Sequence, residues 1–183
     1  MKQKLFARII PGLIALSAIA VLPVSADDSA RDHLVAGLSG FNEVPTLSTP
    51  AQADFRARIK NNDTEIEYTL TYSNFPTNVA QSHIHLGRRA VNGGVMVFLC
   101  TNLGNGPAGT PACPNNAGAD GTFSGTVTGT LTAASVVGGA AAQGVVAGEF
   151  DEVLAAIRAG ATYANVHSAQ FPAGEVRAQV RAF

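Results

Sequence analysis

Tryptophan is missing from this 183-residue sequence, cysteine occurs twice, and beyond residue 26 the sole lysine is Lys60. A chain with so little lysine and no basic run has no electrostatic footprint for nucleic acid. No Gly-rich loop follows a strand and opens a helix, which excludes a phosphate cradle of the P-loop or dinucleotide kind. No repeat of fixed period is visible, which sets aside solenoids and propellers. Beyond the first residues, no stretch is long and apolar enough to cross a bilayer, so no transmembrane segment is expected in the mature chain. Glycine, by contrast, is abundant at 19 residues, as a chain with many tight turns requires.

The first residues read as an address. Lys2, Lys4 and Arg8 form a basic region, residues 9–21 an apolar one broken at Pro11 and Gly12, and Val24-Ser25-Ala26 a small-x-small cleavage site. This predicts a secretory signal peptide over residues 1–26 and export to the periplasm or the cell exterior. Removing 26 of the 183 residues leaves 157, enough for one domain with a sizeable core. The leader takes three of the 12 basic residues and none of the 13 acidic ones, leaving a formal charge of −4. In an oxidising compartment Cys100 and Cys113 are expected to pair. Their bridge closes a Gly-, Pro- and Asn-rich loop, a constraint of roughly 3 kcal/mol in the chain-entropy picture. A Cys–His metal site through Cys100 is the alternative.

The remaining pattern is one of strands. Ala53, Phe55, Ala57 and Ile59 alternate with Asp54, Arg56 and Arg58; Ile66, Tyr68, Leu70 and Tyr72 alternate with Glu67, Thr69 and Thr71. Asn61-Asn62-Asp63 between them reads as a hairpin turn. Asn92-Gly93-Gly94 is expected to supply the positive φ angles of another tight turn, between the strand ending near Leu86 and the one starting at Val95. Residues 133–148, rich in Ala, Gly and Val, suit a short helical turn and a flexible loop. Residues 149–160 carry the one helix pattern: an apolar stripe of Val153, Leu154 and Ile157, acids Asp151 and Glu152 in the first turn, Arg158 in the last and Gly160 as the cap. The final strands are placed at 163–167 and 175–183. Eight or so short strands predict a mostly all-β fold, an antiparallel β-sandwich or partly closed, Greek-key-like barrel with one short helix near 150–159.

The chemistry concentrates on three histidines. His83 and His85 are one residue apart on a strand and so share a face, and His167 ends a second alternating run. If the two strands are neighbours, three imidazoles converge, a donor set suited to copper or zinc. Asn165, Glu175 and Arg177 fall by alternation on the same polar side and are candidates for its support, with Ile84, Val166, Val176, Ala178 and Val180 facing the core. The structural alternative is that the histidines hydrogen-bond turns and that Glu175 pairs with Arg177 or Arg88. Asn42 and Glu43, before Pro45, are read as fixing a turn, and His33 as incidental. No catalytic residue is identified: Ser82 beside His83 points to the opposite face and makes no Ser–His pair.

Several phrases in order resemble one family. They are Leu38-Ser39-Gly40-x-Asn42-Glu43-Val44-Pro45, His83-Ile84-His85-x-Gly87, Asn92-Gly93, Gly129-Thr130-Leu131-Thr132-Ala133, Ala156-Ile157-x-Ala159-Gly160, and Tyr163-x-Asn165-Val166-His167 leading to Pro172-x-Gly174-Glu175-Val176-Arg177-x-Gln179. Together they resemble the CHRD domain, named for its repeats in chordin and found in many secreted bacterial proteins. The resemblance runs over residues 34–183 and implies a single, secreted, mostly β domain of the bacterial type, without enzymatic activity. With the lack of a catalytic constellation, the resemblance points to a binding or interaction module; the partner expected is a protein or an envelope component, met through the 133–148 loop and the disulfide loop. The other reading is a periplasmic or extracellular metal-binding protein using His83, His85 and His167. The His-x-His strand is similar to the copper ligands of secreted copper/zinc superoxide dismutases, but no Asp-bearing zinc loop accompanies it, which argues against dismutation.

Overall fold

The computed structural model describes residues 31–183; the signal peptide expected over 1–26 lies outside the described residues. Ten strands form one antiparallel sheet: β1 His33–Ser39, β2 Gln52–Lys60, β3 Glu65–Phe75, β4 Val79–Leu86, β5 Val95–Thr101, β6 Asn116–Ala117, β7 Phe123–Leu131, β8 Thr162–Ser168, β9 Val176–Gln179 and β10 Arg181–Ala182. The order across it is β5-β4-β8-β9-β1-β2-β3-β7-β6, with β10 continuing the line of β9 along β1. The mostly β, sandwich-or-barrel expectation holds, with two more short strands than the alternation gave.

One short connection dictates the shape. Residues 76–78 alone join β3 to β4. Four Cα steps reach about 15 Å at full stretch, whereas five strand spacings separate β4 from β3 in the order, about 24 Å across a flat sheet. The sheet therefore curls until its two halves face each other. Leu34, Leu38, Phe55, Ile66, Leu70, Phe75, Ile84, Leu99, Val166 and Val176 fill the space between them. Tyr68 of β3 spans it, its hydroxyl donating to Leu99 O of β5 at 2.5 Å, and the Tyr72 hydroxyl donates to Pro114 O. Their cross-strand partners on β7 are Gly129 and Gly125. A Cβ at either would lie 2.6 Å from the tyrosine hydroxyl, so glycine is what lets each ring lie across the neighbouring strand.

The helix α1, Phe150–Arg158, buries Phe150, Val153, Leu154 and Ile157, and Asp151, Glu152 and Arg158 complement its dipole as expected. Arg158 reaches the β2–β3 turn and holds both carboxylate oxygens of Asp63 at 2.8 and 2.9 Å. That turn takes φ of 52°, 53° and 65° at Asn61, Asn62 and Asp63, so the Asn-rich hairpin is as predicted. Cys100 and Cys113 are bridged, their Cα atoms 5.1 Å apart.

Three local expectations are corrected. Asn92-Gly93-Gly94 does not adopt positive φ; the positive angle in that connection belongs to Ala90, at 61°. The glycines serve close approach: a Cβ on Gly93 would sit 1.6 Å from Leu86 O, and one on Gly94 2.2 Å from Gly139 O. Residues 133–148 are not a flexible loop. They form 3₁₀ turns at Ala133–Ser135 and Gly138–Gln143, and Val136, Ala140 and Val145 are buried. Val136 bridges to Val97, and Gln143 accepts from Gly94 N–H at 2.6 Å and donates to Leu86 O at 3.0 Å, so the segment seals the free edge of β5. Finally, the strand expected over 175–183 is broken at Val180, where the chain changes partner from β8 to β1.

Candidate metal centre

β8 is the pivot of the site because it is buried on both faces along its whole length. Inward it presents Ala164 and Val166. Outward it presents Tyr163, Asn165 and His167, polar residues that sit as deep as the core. β4 lies on one side of it, pairing His83 with Asn165, His85 with Tyr163 and Gln81 with His167. β9 lies on the other, pairing Asn165 with Arg177. A second, polar layer thus covers the outer surface of β4, β8 and β9. Main-chain carbonyls of Gly93 and Pro172, on the turns at either end, close over it.

The register brings the three predicted histidines together. Their relative exposures are 3% for His83, 8% for His85 and 6% for His167, and one ring nitrogen from each lies within 4.8 Å of the others. His83 Nδ1 is 3.1 Å from His167 Nε2. The backbone sets the tautomers, because a carbonyl can only accept. His85 Nδ1–H donates to Gly93 O at 3.0 Å and His167 Nδ1–H to Pro172 O at 3.0 Å, leaving both Nε2 atoms as lone pairs. His83 Nδ1–H donates to His167 Nε2. His83 Nε2 and His85 Nε2 are then buried acceptors with no hydrogen-bond partner.

Burial also keeps the rings neutral. Desolvation is the largest cause, reinforced at His83 and His85 by neighbouring histidines, and it presses His85 down to about 4, His83 further, and His167 below its ordinary value. The Gly93 and Pro172 carbonyls pull His85 and His167 the other way but do not win. All three imidazoles are therefore uncharged at neutral pH, with the Nε2 lone pairs of His83 and His85 free and that of His167 accepting from His83 Nδ1–H.

Of the three supporting residues expected from sequence, two reach this layer. Asn165 donates to the Glu43 carboxylate and to Val176 O. Arg177 is 2% exposed, donates to Asn92 Oδ1, Arg88 O and Val91 O, and lies 3.4 Å from the centroid of the Tyr163 ring. Glu175 does not pair with Arg177 or Arg88. Its Oε1 accepts from the Thr49 hydroxyl at 2.6 Å, so it ties down the 40–51 segment. His33 is exposed at the start of β1, and Ser82 donates to Asn165 O.

Sequence reasoning missed three members. Tyr163 stacks on His85 with centroids 4.6 Å apart and planes 3° from parallel. Phe98, opposite His83 on β5, presents an edge-on contact at 4.3 Å. Glu43 was read as a turn residue, yet its carboxyl is buried against Asn165. Desolvation raises its pKa, against the lowering pull of Asn165, the Val44 N–H and Arg177. The available signal was that Tyr163 shares the strand parity of Asn165 and His167.

Fold and site together define a class: a disulfide-bridged, antiparallel β domain whose sheet carries a histidine cluster in a buried polar layer. The chain belongs to the CHRD domain family, matching it over residues 34–180. CHRD domains are of extracellular type and generally non-enzymatic. No curated protein and no solved structure shows significant similarity to the chain. No helix of the described residues is long and apolar enough to cross a membrane.

Proposed function

We propose that the chain is an exported, non-catalytic binding module, acting in the periplasm or outside the cell, whose ligand is one copper or zinc ion held by His83, His85 and His167. One observation carries the reading: the two unpartnered lone pairs, His83 Nε2 and His85 Nε2, buried beside His167. A buried acceptor without a partner costs on the order of 1–3 kcal/mol, and two in one cluster are what a bound cation would relieve. The carbonyls on His85 Nδ1 and His167 Nδ1 are the outer contacts that orient ligating histidines.

Copper is favoured over zinc. The cluster contains no carboxylate or thiolate, and the Arg177 charge acts on His85. A monovalent copper ion needs the least compensation and accepts three ligands, whereas zinc would recruit a fourth. The generally non-enzymatic character of the family and the use of the Ser82 hydroxyl by Asn165 O agree with binding rather than catalysis.

The test is calorimetric titration of metal-stripped protein with copper and with zinc. One equivalent is expected to bind, and His83→Ala and His167→Ala to weaken it at least 100-fold, about 2.7 kcal/mol. Binding by both variants as tight as that of the parent would end the reading.

A further inference from the structure

A second site lies on the far side of β9. His33 and Phe183 exchange main-chain hydrogen bonds at 3.1 and 3.0 Å; Leu34 pairs with Ala182, Val35 with Arg181 and Ser39 with Arg177. All share one register, so Gly37 should face Gln179 midway. That pair and its two neighbours, Ala36 with Val180 and Leu38 with Ala178, are not formed. Val180 N–H, at the break between β9 and β10, donates to Thr162 O of β8 at 3.0 Å. Strand alternation then fixes what the gap contains. His33 directs its N–H and C=O toward the last strand, so Gly37, four residues on, does the same. Val180 bonds to β8, so Gln179 turns its own N–H and C=O the other way, into the gap. Gly37 and Gln179, in the middle of a sheet, thus form no ladder pair, and main-chain groups so placed are satisfied by water, side chains or ligands.

A cavity of about 350 Å³ opens at this gap, lined by Gly37 and Gln179 together with Asn42, Arg89, Arg177 and Arg181. Three arginine residues line it and no acidic residue does. Asp54, the acid opposite Gly37 on β2, lines the adjoining groove instead. Arg177 is immobilised by its three acceptors and by Tyr163, so one of the three charges is preorganised. Gln179 Oε1 has no hydrogen-bond partner. A fixed arginine, two more at the rim and the main-chain N–H of Gly37, which has no ladder pair on β9, recognise planar or tetrahedral oxyanions, and the volume suits a small organic molecule.

We propose that the opened β1–β9 ladder is a binding site for a small organic anion, its carboxylate or phosphate group held by Arg177, Arg181, Arg89 and the Gly37 N–H. This site shares Arg177 with the layer around the histidines but uses none of the three histidines themselves. Gly37 supplies the discriminating variant: a Cβ there meets no atom within 4 Å and the position requires no positive φ, so Gly37→Val fills the cavity without straining the strand.

The experiment is an amide NMR titration of the exported protein with succinate, with inorganic phosphate, and with sodium chloride at matched ionic strength. The Gly37 amide is expected to shift saturably with succinate or phosphate and not with chloride. Half-saturation is expected at or below about 1 mM, and the tighter probe distinguishes a carboxylate ligand from a phosphate one. Arg181→Gln should weaken binding at least tenfold. Gly37→Val should abolish it while keeping the melting temperature of the parent. The proposal is overturned if neither anion moves the Gly37 amide, if chloride moves it equally, or if Arg181→Gln and Gly37→Val bind as the parent does.

Discussion

Three imidazoles in a buried layer make acid the solvent condition to which the metal-free protein is most exposed. Each has a folded pKa below the ordinary histidine value, from burial first, with neighbouring charges adding to it at His83 and His85. The unfolded chain therefore binds more protons once pH falls below about 6.5, and stability declines from there. For His85 the loss continues until its folded value, about 4, is reached. Each such histidine contributes up to about 1.4 kcal/mol per pH unit in that window. The Arg177 charge favours the neutral form of His85. Glu43 acts in the opposite sense, because its raised value means that the native state takes up a proton first, nearer the carboxylate range. The expected outcome is a melting temperature, measured on metal-stripped protein, that drops steadily from pH 7 to pH 5; a flat profile would show that the rings are not held neutral. Of these residues, the three histidines and Asn165 were legible because period-two alternation assigns a face from sequence alone. Glu43 and Phe98 were not, since nothing in a local pattern says which loop or neighbouring strand covers a given face.

Among the elements, the β4–β5 connection matters most to the site, because Gly93 O receives His85 Nδ1–H. Glycine stands at 93 and 94 for want of room rather than for φ, a distinction a sequence cannot make: both demands select the same residue. Gly93→Ala places a methyl against Leu86 O and pushes the acceptor off His85. A loss of about 1–3 kcal/mol in denaturant unfolding is expected from the overpacking alone, together with weaker metal binding in the same titration. Unchanged affinity at reduced stability would show that the carbonyl does not orient His85. The split of the last strand into β9 and β10 was equally hidden, because alternation runs on through Val180 while the partner changes. The 133–148 segment misled for a related reason. Its Ala, Gly and Val carry no periodicity, yet a 3₁₀ turn needs only small residues to lie flat along β5.

For the whole molecule, the fold class followed from strand spacing, but the topology did not. Adjacency of β4 with β8 pairs segments far apart in the chain, such as His83 with Asn165, and is a long-range property. That adjacency is what turns scattered histidines into a cluster. The described residues contain no free cysteine, and the Cys100–Cys113 bridge, 13 residues apart in sequence, pins the segment that supplies Pro114 O to Tyr72 and Asn115 to Val79. Reduction is expected to cost roughly 3 kcal/mol. It should appear as a lower melting temperature in dithiothreitol; an unchanged one would mean that the loop is held by its asparagine hydrogen bonds alone.

The most direct measurement of the central claim is X-ray absorption at the metal edge of the copper-loaded protein. The account predicts three imidazole nitrogens about 2.0 Å from the ion, falling to two in His83→Ala. A first shell of oxygen or sulfur, or a spectrum unmoved by that substitution, would contradict it.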